Sequence, residues 1–157
     1  MEPFITLIIV TLGILIAGRF GVKRLQPWTV ALRGGVAAMF LLTGVVHFVY
    51  MRAELINMVP PSLPNPDLLV TITGLLEIAG AIGLLWKPTV PWASAGLTAL
   101  LIVMFPANIY LALEGSAIEP FDALIPRTIL QLFFLSATIT ILVTNVYIRA
   151  IEKNNQQ

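Results

Sequence analysis

Five long apolar stretches, separated by short links rich in charge or proline, run the length of the chain. The first extends from Phe4 to Ala17. Reaching on to Phe20 or Val22, it is long enough to cross a bilayer with some local thinning. Its basic flank (Arg19, Lys23, Arg24) follows the run, Glu2 sits at the N-terminus, and no small-x-small cleavage pattern precedes Arg19. It therefore reads as a transmembrane helix and not as a signal peptide. The second stretch spans about Trp28 to Tyr50, with Arg33 placed to snorkel beside Trp28 and with Gly34, Gly35, Ala37, Ala38 and Gly44 allowing close helix approach. A link from Met51 to Asp67 carries Pro60, Pro61, Pro64 and Pro66, a density that opposes helix and favours a stiff, extended path over the end of the molecule, as a connector or a lid.

The third stretch runs from about Leu68 to Trp86 and stops at Lys87-Pro88. A tight link leads to the fourth, about Trp92 to Leu113, which Pro106 should kink. An acidic loop from Glu114 to Asp122 precedes the fifth, about Ala123 to Tyr147, and the polar tail EKNNQQ ends the chain. Basic residues set the orientation. Arg19, Lys23, Arg24, Arg33, Lys87, Arg149 and Lys153 fall on one side, against Arg52 on the other and Arg127 within the fifth stretch. The positive-inside rule then puts the N-terminus outside, the C-terminus in the cytoplasm, and the proline link and acidic loop outside. Trp28, Trp86 and Trp92 read as interface anchors.

Composition agrees with this pattern and narrows the chemistry. Of the 157 residues, 58% are hydrophobic and only 11% charged, with a mean hydropathy of +0.93. A soluble domain carries about a quarter charged residues, so the expected class is an integral membrane protein. Net charge is +1, with no basic stripe to bind nucleic acid. There is no cysteine, which excludes disulfides, thiol redox chemistry, iron–sulfur ligation and covalent c-type haem within this chain. A single histidine, His47, supplies no haem ligand pair, and a histidine-based zinc site would have to draw its other ligands from carboxylates. The sequence thus offers no metal set and no intrinsic cofactor.

Five polar side chains interrupt the apolar stretches: His47, Glu77, Asn108, Arg127 and Gln131. A central acidic residue costs about 2.5–3.5 kcal/mol on insertion scales, so Glu77 needs compensation. At 1.5 Å per residue, depths from the outer face are about 5 Å for His47 and Arg127, 8 Å for Asn108, 10 Å for Gln131 and 14 Å for Glu77. All five fall in the outer half, on four different helices. Arg127 and Gln131 share a face at i, i+4. Thr73, Glu77 and Ala81 form a stripe beside Gly74 and Gly80, which turns the acid toward protein. The expected fold is a four-helix transmembrane bundle (27–150), preceded by an additional N-terminal helix and basic link (1–26) and followed by a polar tail (151–157). Glu77 and Arg127 are then the expected ion pair, either structural or functional. His47 reads as a helix-end hydrogen bonder or a ligand, Gln131 as a helix–helix hydrogen bond, and Asn108 as a partner for backbone freed by Pro106.

Several segments, taken together, resemble the DoxX-like family of small bacterial integral membrane proteins over about residues 30 to 145. They are GVVHF at 44–48, MVPPSLPNPDLLV at 58–70, TGLLEIAGAIGLL at 73–85, FPANIYLAL at 105–113 and RTILQ at 127–131. That resemblance implies a four-helix membrane bundle in a bacterial cytoplasmic membrane, among relatives linked to quinone reduction, thiosulfate oxidation and resistance to quinone-like compounds. Its motif positions here are the same five residues. The function it implies is a membrane subunit that binds a quinone or similar small lipophile and serves an oxidoreductase assembly. Glu77 and Arg127 would act at the reacting group, and His47, Asn108 and Gln131 would bind the headgroup. Electrons would come from a partner or from the ligand itself, since no residue set here holds one. The alternatives are a non-catalytic accessory subunit with a membrane-protein partner or a second copy, and a lipid or small-solute carrier.

Overall fold

The computed structural model of the chain describes residues 2–49, 51–113 and 124–155. Among them every regular element is helical: α1 (Glu2–Arg19), α2 (Trp28–Val49), α3 (Arg52–Asn57), α4 (Pro66–Leu85), α5 (Val90–Leu113) and α6 (Leu124–Asn154), with single 3-10 turns at Lys23–Leu25 and Lys87–Thr89. Five of these helices, all but α3, are long and apolar enough to cross a membrane. The expected acidic loop, Glu114 to Asp122, lies outside the described residues.

Two expectations are corrected. The fifth span does not stop at Tyr147 but continues as helix through Asn154, because Arg149, Ala150, Glu152 and Lys153 are good helix formers. The proline link is not extended either. Its first residues, RAELIN, are helix formers and make α3 before any proline is reached. Turns follow, with the Leu63 N–H bonded to the Pro60 carbonyl at 2.9 Å. Asn65 takes a left-handed conformation (φ 51°) that reverses the chain into α4, where Pro66 opens the first turn. A fixed φ suits that position and the missing N–H costs nothing there.

Consecutive spans run antiparallel. Gly35 of α2 faces Leu7 and Thr11 of α1, Gly80 and Gly83 of α4 face Leu97 and Ala93 of α5, and Leu101 of α5 meets Gln131 of α6. α2 also packs on α6. α1 lies along α2 and reaches α6 through an edge-to-face contact of Phe4 with Phe133, ring centroids 5.6 Å apart.

The most extensive helix contact is between α2 and α4. A Cβ added to Gly74 would fall 2.7 Å from His47 Cβ, and one added to Gly44 would fall 2.7 Å from Ile78 Cγ1 and 3.1 Å from the Gly74 carbonyl. Without a hydrophobic driving force between helices in lipid, such small-residue seams supply the packing. The buried residues of α4 (Val70, Gly74, Glu77, Ala81, Leu84) follow a 4-3-4-3 spacing, one face turned to its neighbours. With His47 level with Gly74, α2 ends near residue 72, so α4 overhangs it by about six residues, or about 9 Å. α3 packs on α2 and α4 beside that overhang. Arg52 holds it there, donating to Asp67 Oδ1 (3.3 Å) and Thr71 Oγ1 (3.0 Å).

Large apolar side chains fill the half of the molecule toward the basic ends: Met39 and Phe40 of α2, Leu84 of α4, Leu97 of α5 and Ile141 of α6. At that end Arg149 donates to the carbonyls of Lys87 (2.8 Å) and Pro88 (2.9 Å), tying α6 to the α4–α5 link. His47, Asn108, Arg127 and Gln131 lie in the opposite half, and Glu77 near mid-depth.

Replacing Gly74 by Val is expected to lower stability by about 1–3 kcal/mol through overpacking of the α2–α4 seam. Gly96→Ala, which meets nothing within 4 Å, should leave it unchanged or slightly raised. Thermal unfolding of both variants in the same detergent measures the difference.

Candidate functional site

Four of the five polar residues are divided between two interfaces. On α2, His47 is 4% exposed, and on α4 Glu77 is also 4% exposed. Both are placed by the glycine seam: Gly74 admits the His47 ring, and Gly44 lies against Glu77 Cβ. His47 Nδ1 lies 2.8 Å from the Thr43 carbonyl, one turn earlier on its own helix. A carbonyl only accepts, so Nδ1 carries the proton and donates it there. The same Nδ1 is 3.8 Å from Glu77 Oε2, an ion-pair distance but too long for a hydrogen bond. The Thr43 hydroxyl also neighbours the Glu77 carboxyl. Among the described residues, buried Glu77 Oε2 accepts no hydrogen bond. A buried acceptor left in that state costs about 1–3 kcal/mol.

The second interface is α5 with α6. Gln131, 8% exposed, donates from Nε2 to the Leu101 carbonyl at 2.7 Å and accepts from Asn108 Nδ2 at 3.4 Å. The Leu101 carbonyl is one residue before Ile102, whose carbonyl loses its i+4 donor to Pro106, so Gln131 clamps the α5 backbone next to that break. The expectation of a helix–helix hydrogen bond at Gln131 is met. Asn108 joins it through the side chain and not through the backbone that Pro106 frees. Arg127 stands one turn before Gln131 on α6, half-buried and engaged in an interaction of its own.

The expected pairing of Glu77 with Arg127 is corrected. Acidic and basic side chains meet among the described residues at His47 with Glu77, an ion pair only when the imidazole is doubly protonated, and at Arg52 with Asp67. Glu77 is carried by α4, whose principal neighbours are α2 and α5, whereas Arg127 is carried by α6, which packs on α5 and α2. The two charges therefore sit on helices that are not packed side by side. Charge complementarity in the sequence cannot register that separation. Depth misled in the same way: Glu77, placed about 9 Å deeper than His47 by counting from equal helix ends, meets it because α4 overhangs α2.

Thr43, Arg52, Asp67 and Thr71 take part in these contacts and were not singled out by sequence pattern. Thr43 stands at i−4 from His47, a spacing that signals a shared helix face. Two cavities, of about 450 and 360 Å³, lie along α1, away from both polar interfaces.

The family described as "Domain of unknown function (DUF8561)" matches residues 36–143, which hold all five polar residues and leave α1 outside. No curated protein and no solved structure matches the chain.

Alanine double-mutant cycles distinguish the two interfaces. Asn108 and Gln131 should couple by about 0.6 kcal/mol, the average for interhelical side-chain bonds in membranes. Glu77 and Arg127 should show additive effects on unfolding, with no coupling outside error.

Proposed function

The chain belongs to the DUF8561 family, and from the interfaces inside the matched residues we propose a multi-pass membrane subunit that binds a small hydroxyl-bearing lipophile of the quinol/quinone class. The subunit would serve an oxidoreductase assembly. The observation that carries this reading is Glu77 Oε2, buried between α2 and α4 beside His47, with no hydrogen bond among the described residues. A ligand hydroxyl would complete that acceptor. The headgroup fits as a donor better than as an acceptor, because the His47 Nδ1 proton is already committed to the Thr43 carbonyl and the amides of Asn108 and Gln131 to the α5–α6 contact. Quinone-type chemistry would supply electrons and protons at the headgroup. The contribution of this chain would be to orient the headgroup and to hold a proton at the Glu77 carboxylate, with electrons passing to a partner subunit.

The resemblance to DoxX-like proteins supports the same reading and a bacterial cytoplasmic membrane location. In it α2, α4, α5 and α6 are the four-helix bundle and α1 the additional helix, with the basic ends cytoplasmic by the positive-inside rule. His47 and Glu77 then lie toward the outer leaflet. α3 would act as the lid, released when Arg52 lets go of Asp67 and Thr71.

One observation favours an accessory role for the other half of the site. Gln131 and Asn108 bond to each other and to the Leu101 backbone, which is what fastening requires. The proposal therefore assigns ligand contact to α2–α4 and register to α5–α6.

Mass spectrometry of a solvent extract from protein purified in mild detergent tests this assignment. The expected result is a quinone-class lipophile near one per chain in the native protein, reduced at least about tenfold by Glu77→Gln and retained in Gln131→Leu despite lower stability. A lipophile that survives Glu77→Gln unchanged would refute the site. An empty protein travelling with a stoichiometric second polypeptide would replace the reading by the accessory-subunit one.

A further inference from the structure

The larger cavity, about 450 Å³, opens where α1 ends and the chain turns into α2; it is lined by Leu15, Ile16, Gly18, Arg19 and Gln26. Gly18 permits this geometry, because a Cβ there would lie 2.7 Å from the Leu25 carbonyl that closes the turn. The walls are apolar on the α1 side and polar at the rim. Arg19, Lys23 and Arg24 stand within six residues of one another, all exposed, and no carboxylate among the described residues lies within ion-pair distance of them. Exposed aromatics at the same end of the molecule (Phe20, Trp28, Trp86 and Trp92) mark the level of a membrane–water interface.

The smaller cavity lies further along α1, toward its N-terminus. It lies between α1 and α6, bordered by Ile8, Leu12, Phe133 and Ser136 among others. Ile8, Leu12, Leu15 and Arg19 recur at spacings of four, three and four, one stripe along α1. From Arg19 to Ile8 that stripe is about 16 Å long at 1.5 Å per residue. One leaflet of a hydrocarbon core about 30 Å thick has the same depth.

A cationic, amide-bearing rim at interface level, opening onto an apolar track one leaflet long, matches an amphiphile with an anionic head. We propose that these two cavities together hold one anionic phospholipid, its phosphate at Arg19 and Gln26 and an acyl chain along Leu15, Leu12 and Ile8 against α6. The lipid bridges α1 to the rest of the chain, at the end of the molecule opposite His47 and Glu77. It is independent of any ligand there. Apolar walls below the charged rim favour a lipid over a free phosphate ion.

Native mass spectrometry of the full chain, released from nanodiscs of phosphatidylglycerol or of phosphatidylcholine, tests the proposal. The expected result is one retained phosphatidylglycerol per chain and no retained phosphatidylcholine. Replacing Arg19 of the cavity lining together with its sequence neighbours Lys23 and Arg24 by Gln should weaken retention by about fivefold per charge removed, while Lys153→Gln, a cation on the C-terminal helix far in sequence from the cavity lining, leaves it unchanged. Leu12→Trp, which fills the track without altering charge, should also release the lipid, and it carries the test if the triple variant does not fold. Equal retention of both lipids, retention unaffected by Leu12→Trp, or release by inorganic phosphate alone would each overturn the proposal.

Discussion

The glycine contact between α2 and α4 is the constraint on which the rest of the arrangement depends. A carboxyl in the middle of an apolar helix is tolerable only where protein surrounds it. Gly44 and Gly74 bring two backbones close enough to provide that enclosure for Glu77. The same seam fixes the register at which His47 meets the acid and sets the overhang of α4 beyond α2. The overhang, in turn, gives α3 a surface to pack on and gives Arg52 the Asp67 and Thr71 oxygens to bond. One pair of missing side chains thus connects local sequence, helix register and the position of the only ionisable pair buried between spans among the described residues.

The two polar interfaces differ in how fully their hydrogen-bonding capacity is used. Between α5 and α6 the amides bond each other and the Leu101 backbone carbonyl, so the contact has the character of a fastener. Between α2 and α4 the imidazole proton is held by its own helix and one carboxyl oxygen is left as a buried acceptor. Leaving an acceptor in that state is unfavourable for a purely structural pair. That imbalance is what supports the proposal of a ligand at Glu77 and not at Gln131.

Much of this was legible from the sequence. The five spans could be located to within about two residues at most ends, because an apolar run of membrane length has few alternative structures. The burial of Glu77 followed from the small residues on its stripe, and the helix–helix bond of Gln131 from a polar amide set within an apolar span. What could not be read was which helices are neighbours and how their ends are staggered. Glu77 and Arg127 looked like partners by charge, yet their helices are not packed together. α3 was hidden because four prolines dominate the link, while the six residues that form the helix precede them. The helical tail after Tyr147 was hidden by its polarity, which says where lipid ends and not where helix ends.

Infrared difference spectroscopy of the Glu77 carboxyl, recorded before and after solvent extraction of detergent-purified protein and assigned by its absence in Glu77→Gln, decides whether a ligand bonds this carboxyl. If a ligand hydroxyl completes Glu77 Oε2, extraction shifts the carboxyl stretching band and adding back the extract restores it. A band that extraction and add-back leave unmoved would contradict a ligand at this carboxyl, and the pair with His47 would stand as a structural contact alone.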